Sequence, residues 1–508
     1  MHIAALAAML LLLPVAGFAA VYHIDPTAGS GGDGSAADPF DSWSDLPSMS
    51  ASYDVYIKCG TTLTPSSYLN ITWGGTSGDP AVIGAYYMDG ANAVYGVSGN
   101  RPIISGNSHT VPTNLATGSA TQYRGLIDVQ EKDYIHIENL HIYQSGYDGI
   151  RFNGDYNASD CVGFSVTGCK IESSYSSSIR AVKAPYNVGS ITNNEVTYSG
   201  MGWGSYHQES TFPAAIAINN CPHAGATVSE NYVHDTYSEG IGAYRTSGSS
   251  DADETGYCTI ENNLVYNSTS AGIYLCSQNN TVRFNIVIGQ PTTANFTYFN
   301  KNARDGLFWN GTGISVWMES SFPTLNDICD DNLIYSNIVT GREYGIRWGS
   351  QFTTGSISNN KIYNNTLIGN RYNISTSNYV SSVTLSGNEI KNNVSICPSG
   401  CASADTNANY TWIATKTGLA IDHNSWDSTT TTSNWAGTGD VVSDTHWSKL
   451  SGWQSITDPS TLSITDFMPL SNSTAIDNAD DLGSPYNLGI SIYDTSYNIP
   501  IFVTTVER

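Results

Sequence analysis

The sequence predicts an all-β chain wound as a parallel β-solenoid, and three observations carry that expectation. One phrase recurs through the centre of the chain: an Asn or Cys, an aliphatic stretch, a polar turn, a small residue and then an Ile strand. The strands it defines are short and rich in β-branched and aromatic residues, with Asn at the turns. No segment carries the 3.6-residue apolar period of an amphipathic helix of useful length.

The phrase is clearest as 139-NLHIYQSGYDGIRFNG-154, 169-CKIESSYSSSIRAVK-183, 231-NYVHDTYSEGIGAYR-245, 263-NLVYNSTSAGIYLCS-277 and 337-NIVTGREYGIRWGS-350. A decayed copy follows at 365-NTLIGNRYNISTSN-378, and 212-FPAAIAINN-220 supplies the strand half of another. One copy alone cannot bury its Ile. Stacking coils about 4.8 Å apart pairs every strand edge and builds one apolar column, in which Asn at equivalent turns can hydrogen-bond as a ladder. Such a column is long rather than wide, so 508 residues need not mean several domains.

The remaining elements follow in order. Residues 4–19 form one apolar run that ends on the small–x–small pattern Gly17, Phe18, Ala19, which predicts a secretory signal over 1–19. No later segment approaches the ~18 apolar residues of a membrane helix. The mature chain is thus expected outside the cytoplasm: secreted, periplasmic or on the cell surface. Residues 20–99 are expected as N-terminal strands and cap, 100–396 as coils, and 397–508 as C-terminal coils and closing segment.

Only 13% of residues are charged and the formal net charge is −24, which excludes a nucleic-acid binder that needs a basic face. Sequons at Asn70, Asn295 and Asn393 mark candidate glycosylation sites, and they also arise by chance in an Asn/Ser/Thr-rich chain. Of nine cysteines, Cys397 and Cys401 form the best local disulfide candidate, and structural disulfides or buried thiols are expected rather than a zinc site.

Here the chain resembles the right-handed parallel β-helix proteins of the pectate-lyase-like superfamily. The resemblance rests on the repeat, on the lead-in 22-YHIDPTAGSGGDGSAADPF-40, on 101-RPIISG-106 as a first coil and on the closing 466-DFMPLSNSTAIDNADDLG-483. It implies a scaffold that hosts polysaccharide lyases, glycoside hydrolases, uronate C5-epimerases and non-catalytic adhesins. The Asn-Thr-Asp and Gly-His-Gly signatures of the hydrolases, the Asp-Pro-His signature of mannuronan epimerases and the Arg-x-Pro-x-x-Arg pattern of common pectate lyases are all missing, so no catalytic residue transfers by motif.

Candidate site residues come instead from alternation. With Ile150, Ile179, Ile216, Ile241, Ile273, Ile314 and Ile346 facing inward, the next residue of each strand faces outward: Arg151, Arg180, Ala217, Gly242, Tyr274, Ser315 and Arg347. Two residues further on stand Asn153, Val182, Asn219, Tyr244, Cys276, Trp317 and Gly349, with Lys183 and Arg245 at strand ends. In a chain of only 20 Lys and Arg this is a basic and aromatic strip, suited to a polyanionic sugar. Small residues such as Ala217 and Gly242 are expected to leave a groove floor. The insertions 198–215, 245–257 and 290–313 attach to the same coils as projecting loops and bring His207, Glu209, Lys301, Arg304 and Trp309.

For β-elimination from a uronide the strip offers Lys183 or Tyr244 as base, Arg245 and Arg180 on the carboxylate, and His207 as the alternative acid or base. Arg151, Asn219, Trp317 and Arg347 are expected to bind substrate. Asp251, Asp253 and Glu254 could hold Ca²⁺, or form a solvated acidic loop. His234 and Asp235, which stand beside the Ile241 strand in sequence, read either as polar turn residues or as part of a site. The expected function is a secreted enzyme on an acidic polysaccharide, a lyase first, with an epimerase, a hydrolase or a binding protein as alternatives.

Overall fold

The computed structural model describes residues 20–49, 52–106, 124–154, 161–182, 189–201, 213–219, 226–244, 256–289, 311–318, 329–350, 356–368, 370, 372–378, 384–396, 402–404, 419–422, 424–426 and 441–442. Successive short strands fall in turn into three long sheets, of 14, 13 and 11 strands, and the pairing within them is parallel apart from one hairpin, Ala81–Asp89 with Asn92–Tyr95. This is a right-handed parallel β-helix. Its first described strand is Ala20–Ile24 and its last Val441–Val442.

The register explains the stacking. In the third sheet Ile127, Ile150, Ile179, Ile216, Ile241, Ile273, Ile314, Ile346 and Ile374 are directly paired in one column, all fully buried. Every Ile used to set the outward strip therefore lies on one face. The first sheet repeats the pattern with Ile137, Val166, Ile191, Val228 and Ile260, and the second with Ile142, Ile171, Val196, Val233 and Val265. Each such side chain contributes about 1.5–3 kcal/mol by leaving water.

The turns are held by two asparagine ladders. Between the first and second sheets, Asn194, Asn231, Asn263, Asn285, Asn337, Asn365, Asn393 and Asn424 each receive, on Oδ1, both the backbone N–H and the side-chain amide of the preceding Asn. Only the first lacks such a predecessor. A shorter ladder, Asn280, Asn332, Asn360 and Asn388, runs between the third and first sheets. Cys169 and Cys258 head the two ladders through their backbone N–H groups. The residue before each Asn of the longer ladder, from Asn193 to Asn392, adopts a left-handed conformation with φ near 55°, which swings the chain through the corner.

Two chemical expectations change as a result. Asn393 lies buried within the ladder with both ends of its amide hydrogen-bonded, so that sequon is unavailable in the folded chain, whereas Asn70 is exposed. Cys169 and Cys258 are buried thiols outside any disulfide, their pKa values pushed up to about 12 by burial. Residues 1–19, Asn295, Cys397 and Cys401 lie outside the described residues.

Candidate functional site

The outer face of the third sheet carries the strip in the expected register. Asp128, Arg151, Arg180, Ala217, Gly242, Tyr274, Ser315, Arg347 and Ser375 pair in succession, and Asn153, Val182, Asn219, Tyr244 and Cys276 form the column beside them. From Arg151 to Arg347 the strip spans six coil steps, about 29 Å.

At its N-terminal end the arginines have partners in the protein. Asp148, fully buried, lies 3.6 Å from Arg151 Nη1 and 3.4 Å from Arg180 Nε, and accepts the backbone N–H of Ser177 at 3.0 Å. Burial pushes the Asp148 carboxyl up, and the two guanidiniums pull it back only in part. One coil earlier the buried Asp128 is held by Arg124 at 2.6 Å. Arg180 also donates to Ser176 Oγ at 2.8 Å and lies over the Tyr147 ring. Arg151 and Arg180 thus stand on the strip as expected but are anchored from beneath by a carboxylate that must remain paired.

The middle of the strip departs from the expected groove floor. Tyr244 folds back along its own strand, and its phenol donates to the buried Glu239. The space above Gly242 is filled by the Tyr244 ring, so Gly242 makes room for that side chain rather than for a ligand. Glu239 itself is accommodated by small neighbours, with Ala214 directly paired to it and Ala271 in the following coil. Asn219 is the strand partner of Tyr244.

Towards the C-terminal end the strip becomes aromatic. The Tyr274 ring lies 5.7 Å from Tyr244 and its hydroxyl donates to the Trp317 carbonyl. The Arg347 guanidinium carbon lies 4.2 Å from the Trp317 ring centroid and 4.7 Å from that of Tyr344, and Tyr344 stacks on Tyr372. Trp317, only 7% exposed, is therefore a platform for Arg347 rather than the open sugar contact expected from alternation.

His234 and Asp235 are placed on another face. His234 projects from the second sheet, stacks on Tyr232, and bonds Asp235 at 2.8 Å and Glu195 at 3.7 Å, while Lys170 bonds Glu195 at 3.2 Å. Asp235 has the left-handed φ of a corner residue, 51°. Burial alone would lower the His234 pKa, but Asp235 and Glu195 raise it; in turn His234, then Lys170, push Glu195 down to about 2. The stretch 234–244 is divided between two sheets.

Lys183, His207, Glu209, Arg245, Asp251, Asp253, Glu254, Lys301, Arg304 and Trp309 lie outside the described residues. Lys183 and Arg245 directly follow Val182 and Tyr244, the last described residues of two third-sheet strands. Among the described residues no group of three or more His, Cys, Asp or Glu is placed to hold a metal ion. No helix among them is long and apolar enough to cross a membrane.

Residues 205–384, a minority of the chain, match the family described as "Periplasmic copper-binding protein (NosD)". No curated protein matches the sequence. Among solved structures, a rhamnogalacturonan lyase is similar at 14% identity and a TM-score of 0.44, over 80% of this chain and 87% of that one. Pectate lyase Pel9A is similar at 14% identity and a TM-score of 0.41, over 91% and 93%. The A-module of mannuronan C-5 epimerase AlgE4 from Azotobacter vinelandii is similar at 12% identity and a TM-score of 0.36, over 77% and 88%. By its three long stacks of parallel strands, the chain is a right-handed parallel β-helix.

Proposed function

We propose that the outer face of the third sheet binds an acidic polysaccharide of the uronic-acid class and cleaves it by β-elimination, with Tyr244 moving the proton. The observation that carries this reading is the position of Tyr244: its phenol is held on a buried carboxylate, midway between the arginine pair Arg151 and Arg180 and the Trp317–Arg347 platform. A guanidinium grips a sugar carboxylate and stabilises the charge that develops as the C5 proton leaves. Arg180, Arg347 and Arg245 have that role; Asn219 contacts a neighbouring sugar, while the buried rings of Tyr274 and Trp317 support Tyr244 and Arg347. Lys183, at the end of the strand that carries Arg180, is the alternative base, and His207 the alternative acid or base. Calcium held by Asp251, Asp253 and Glu254 would share the carboxylate-neutralising role.

A hydrolase is less well supported. Asp148 and Glu239 stand three coil steps apart, about 14 Å, beyond the ~6.5–9.5 Å between the carboxyls of an inverting pair. An epimerase shares the proton-abstraction step and differs in returning the proton to C5. The test is incubation of the secreted chain with alginate, pectate and glycosaminoglycans, read at the ultraviolet absorbance of the unsaturated product, with NMR of uronate stereochemistry alongside. Unsaturated ends support the lyase, and inverted C5 centres without cleavage support the epimerase. Binding with neither leaves a polysaccharide-binding β-helix.

A further inference from the structure

We infer that Glu239 and Gly242 are positioning residues for Tyr244: Gly242 vacates the space in which the ring folds back, and Glu239 takes the phenol proton and returns it. The inference deepens the reading of Tyr244 above and rests on it. Outward residues on a β-strand ordinarily stand away from the sheet. Tyr244 instead lies back across its own strand, over Gly242, to reach a carboxylate five positions earlier. Any side chain at position 242 would collide with the ring. Glu239 pairs directly with a small residue, Ala214, in the preceding coil, and the following coil begins its strand with Ala271.

The chemistry follows from burial. Glu239 is only 5% exposed, so a polymer lying on the strip meets the phenol and not the carboxylate. A neutral phenol is a poor base near neutral pH, since tyrosine ionises near about 10. Passing its proton to Glu239 makes it a phenolate at the moment of attack. The phenolate takes the proton from C5; the electron pair of that C–H bond forms the C4–C5 double bond and the C4–O bond breaks. Tyr244 then hands the proton to the departing oxygen, and Glu239 returns its own to Tyr244. One C–H and one C–O bond are lost, one C=C and one O–H bond are gained, and both side chains regain their starting states.

Among the described residues, the titratable groups on strands packed against Glu239–Tyr244 are Tyr274 and Cys276 in the next coil, and Tyr232, His234, Asp235 and Tyr266 on the second sheet. The strand Ala214–Asn219 brings none. Of these, Tyr274 faces the Tyr244 ring, whereas His234 and Asp235 are engaged with each other and with Glu195.

The test pairs Glu239→Gln and Gly242→Ala with two readouts on the full secreted chain. In the first, NMR of the Tyr244 ring carbon bearing the hydroxyl, assigned with Tyr244→Phe, is followed against pH. An inflection in the carboxylate range in the wild type, absent from both variants, is expected. In the second, kcat/KM is followed against pH on a cleaved polyuronide. Glu239→Gln keeps the hydrogen bond but cannot take the proton, so its rate falls ~10²–10⁴-fold, loses the acid limb and climbs with pH towards tyrosine ionisation. A wild-type Tyr244 signal with no carboxylate inflection overturns the inference whether or not the protein is active. So does a Glu239→Gln rate equal to wild type. An inflection in a wild type that eliminates no polyuronide instead overturns the reading of the function, and shows that failure to be separate from the contact.

Discussion

The outer faces of the second and third sheets both carry charge on neighbouring coils, yet they are organised in opposite ways. On the second, Glu172, Lys170, Glu195 and His234 alternate in sign, Lys170 pairing with Glu172 on its own strand and with Glu195 in the next coil, and Glu195 with His234 in the one after, so the face neutralises itself. On the third, the charges are sorted: carboxylates lie buried beneath at Asp148 and Glu239, with the buried rings of Tyr274 and Trp317 beside them, while guanidiniums and a phenol stand above. A self-cancelling ladder stabilises coil stacking and leaves little field for a ligand. A sorted face keeps positive groups over a negative support, which is what recognition of a polyanion needs.

Substitutions break this contrast in a definite order. Tyr244→Phe has the largest effect, a ~10²–10⁴-fold loss of turnover on a cleaved polymer, and it lowers stability by about 1–3 kcal/mol because the buried Glu239 loses the phenol donor. Asp148→Asn comes next. It leaves Arg151 and Arg180 over an uncharged amide and, because burial already disfavours the Asp148 charge, costs about 1–3 kcal/mol in denaturant unfolding, where the same change at Glu172 on the second sheet costs under ~1 kcal/mol. Asn285→Ala interrupts the longer ladder and takes the acceptor from the backbone N–H of Asn263, whose side-chain amide keeps Val228 O and Glu261 O, for about 1–3 kcal/mol and faster hydrogen exchange at the flanking corners. Arg347→Ala removes a cation from Trp317 and Tyr344; it raises KM several-fold with kcat nearly unchanged, an effect that weakens as salt rises.

The smallest effect is on the second sheet and depends on pH. The folded His234 pKa is raised above 6.5, so its contribution to stability is full below that value and fades as pH rises through the folded pKa. Glu195 is depressed from 4.5 to about 2, so its contribution is present above 4.5 and fades as pH falls towards 2. His234→Gln should therefore destabilise more at about pH 5.5 than at about pH 8.5, by under ~1 kcal/mol. Equal losses at both values would mean that the ring's packing on Tyr232, not its charge, is what matters.

Much of this was legible in the chain. A period-two alternation anchored on Ile150, Ile179, Ile241 and Ile273 determines which side chains point out, because one buried column leaves no freedom to slip by a residue. The Asn that opens each phrase, as at Asn231, Asn263 and Asn337, also identifies the ladder. The doublets Asn193-Asn194, Asn262-Asn263 and Asn364-Asn365 were a further signal: the first Asn takes the left-handed turn and the second the ladder.

What only the tertiary structure decided is how neighbours along the sequence and across coils share space. His234 and Tyr244 are ten positions apart in one stretch, but the corner between them sends one to the second sheet and the other to the third. Gly242 reads as an open floor until the Tyr244 ring is seen to occupy it, and Arg151 and Arg180 read as unencumbered until Asp148 is found beneath both. Local pattern sets the direction of each Cα–Cβ bond, since that follows from strand geometry alone. The conformation a long side chain takes beyond Cβ depends on which groups the stacked coils bring within reach, and that information is distributed over residues far apart in the chain.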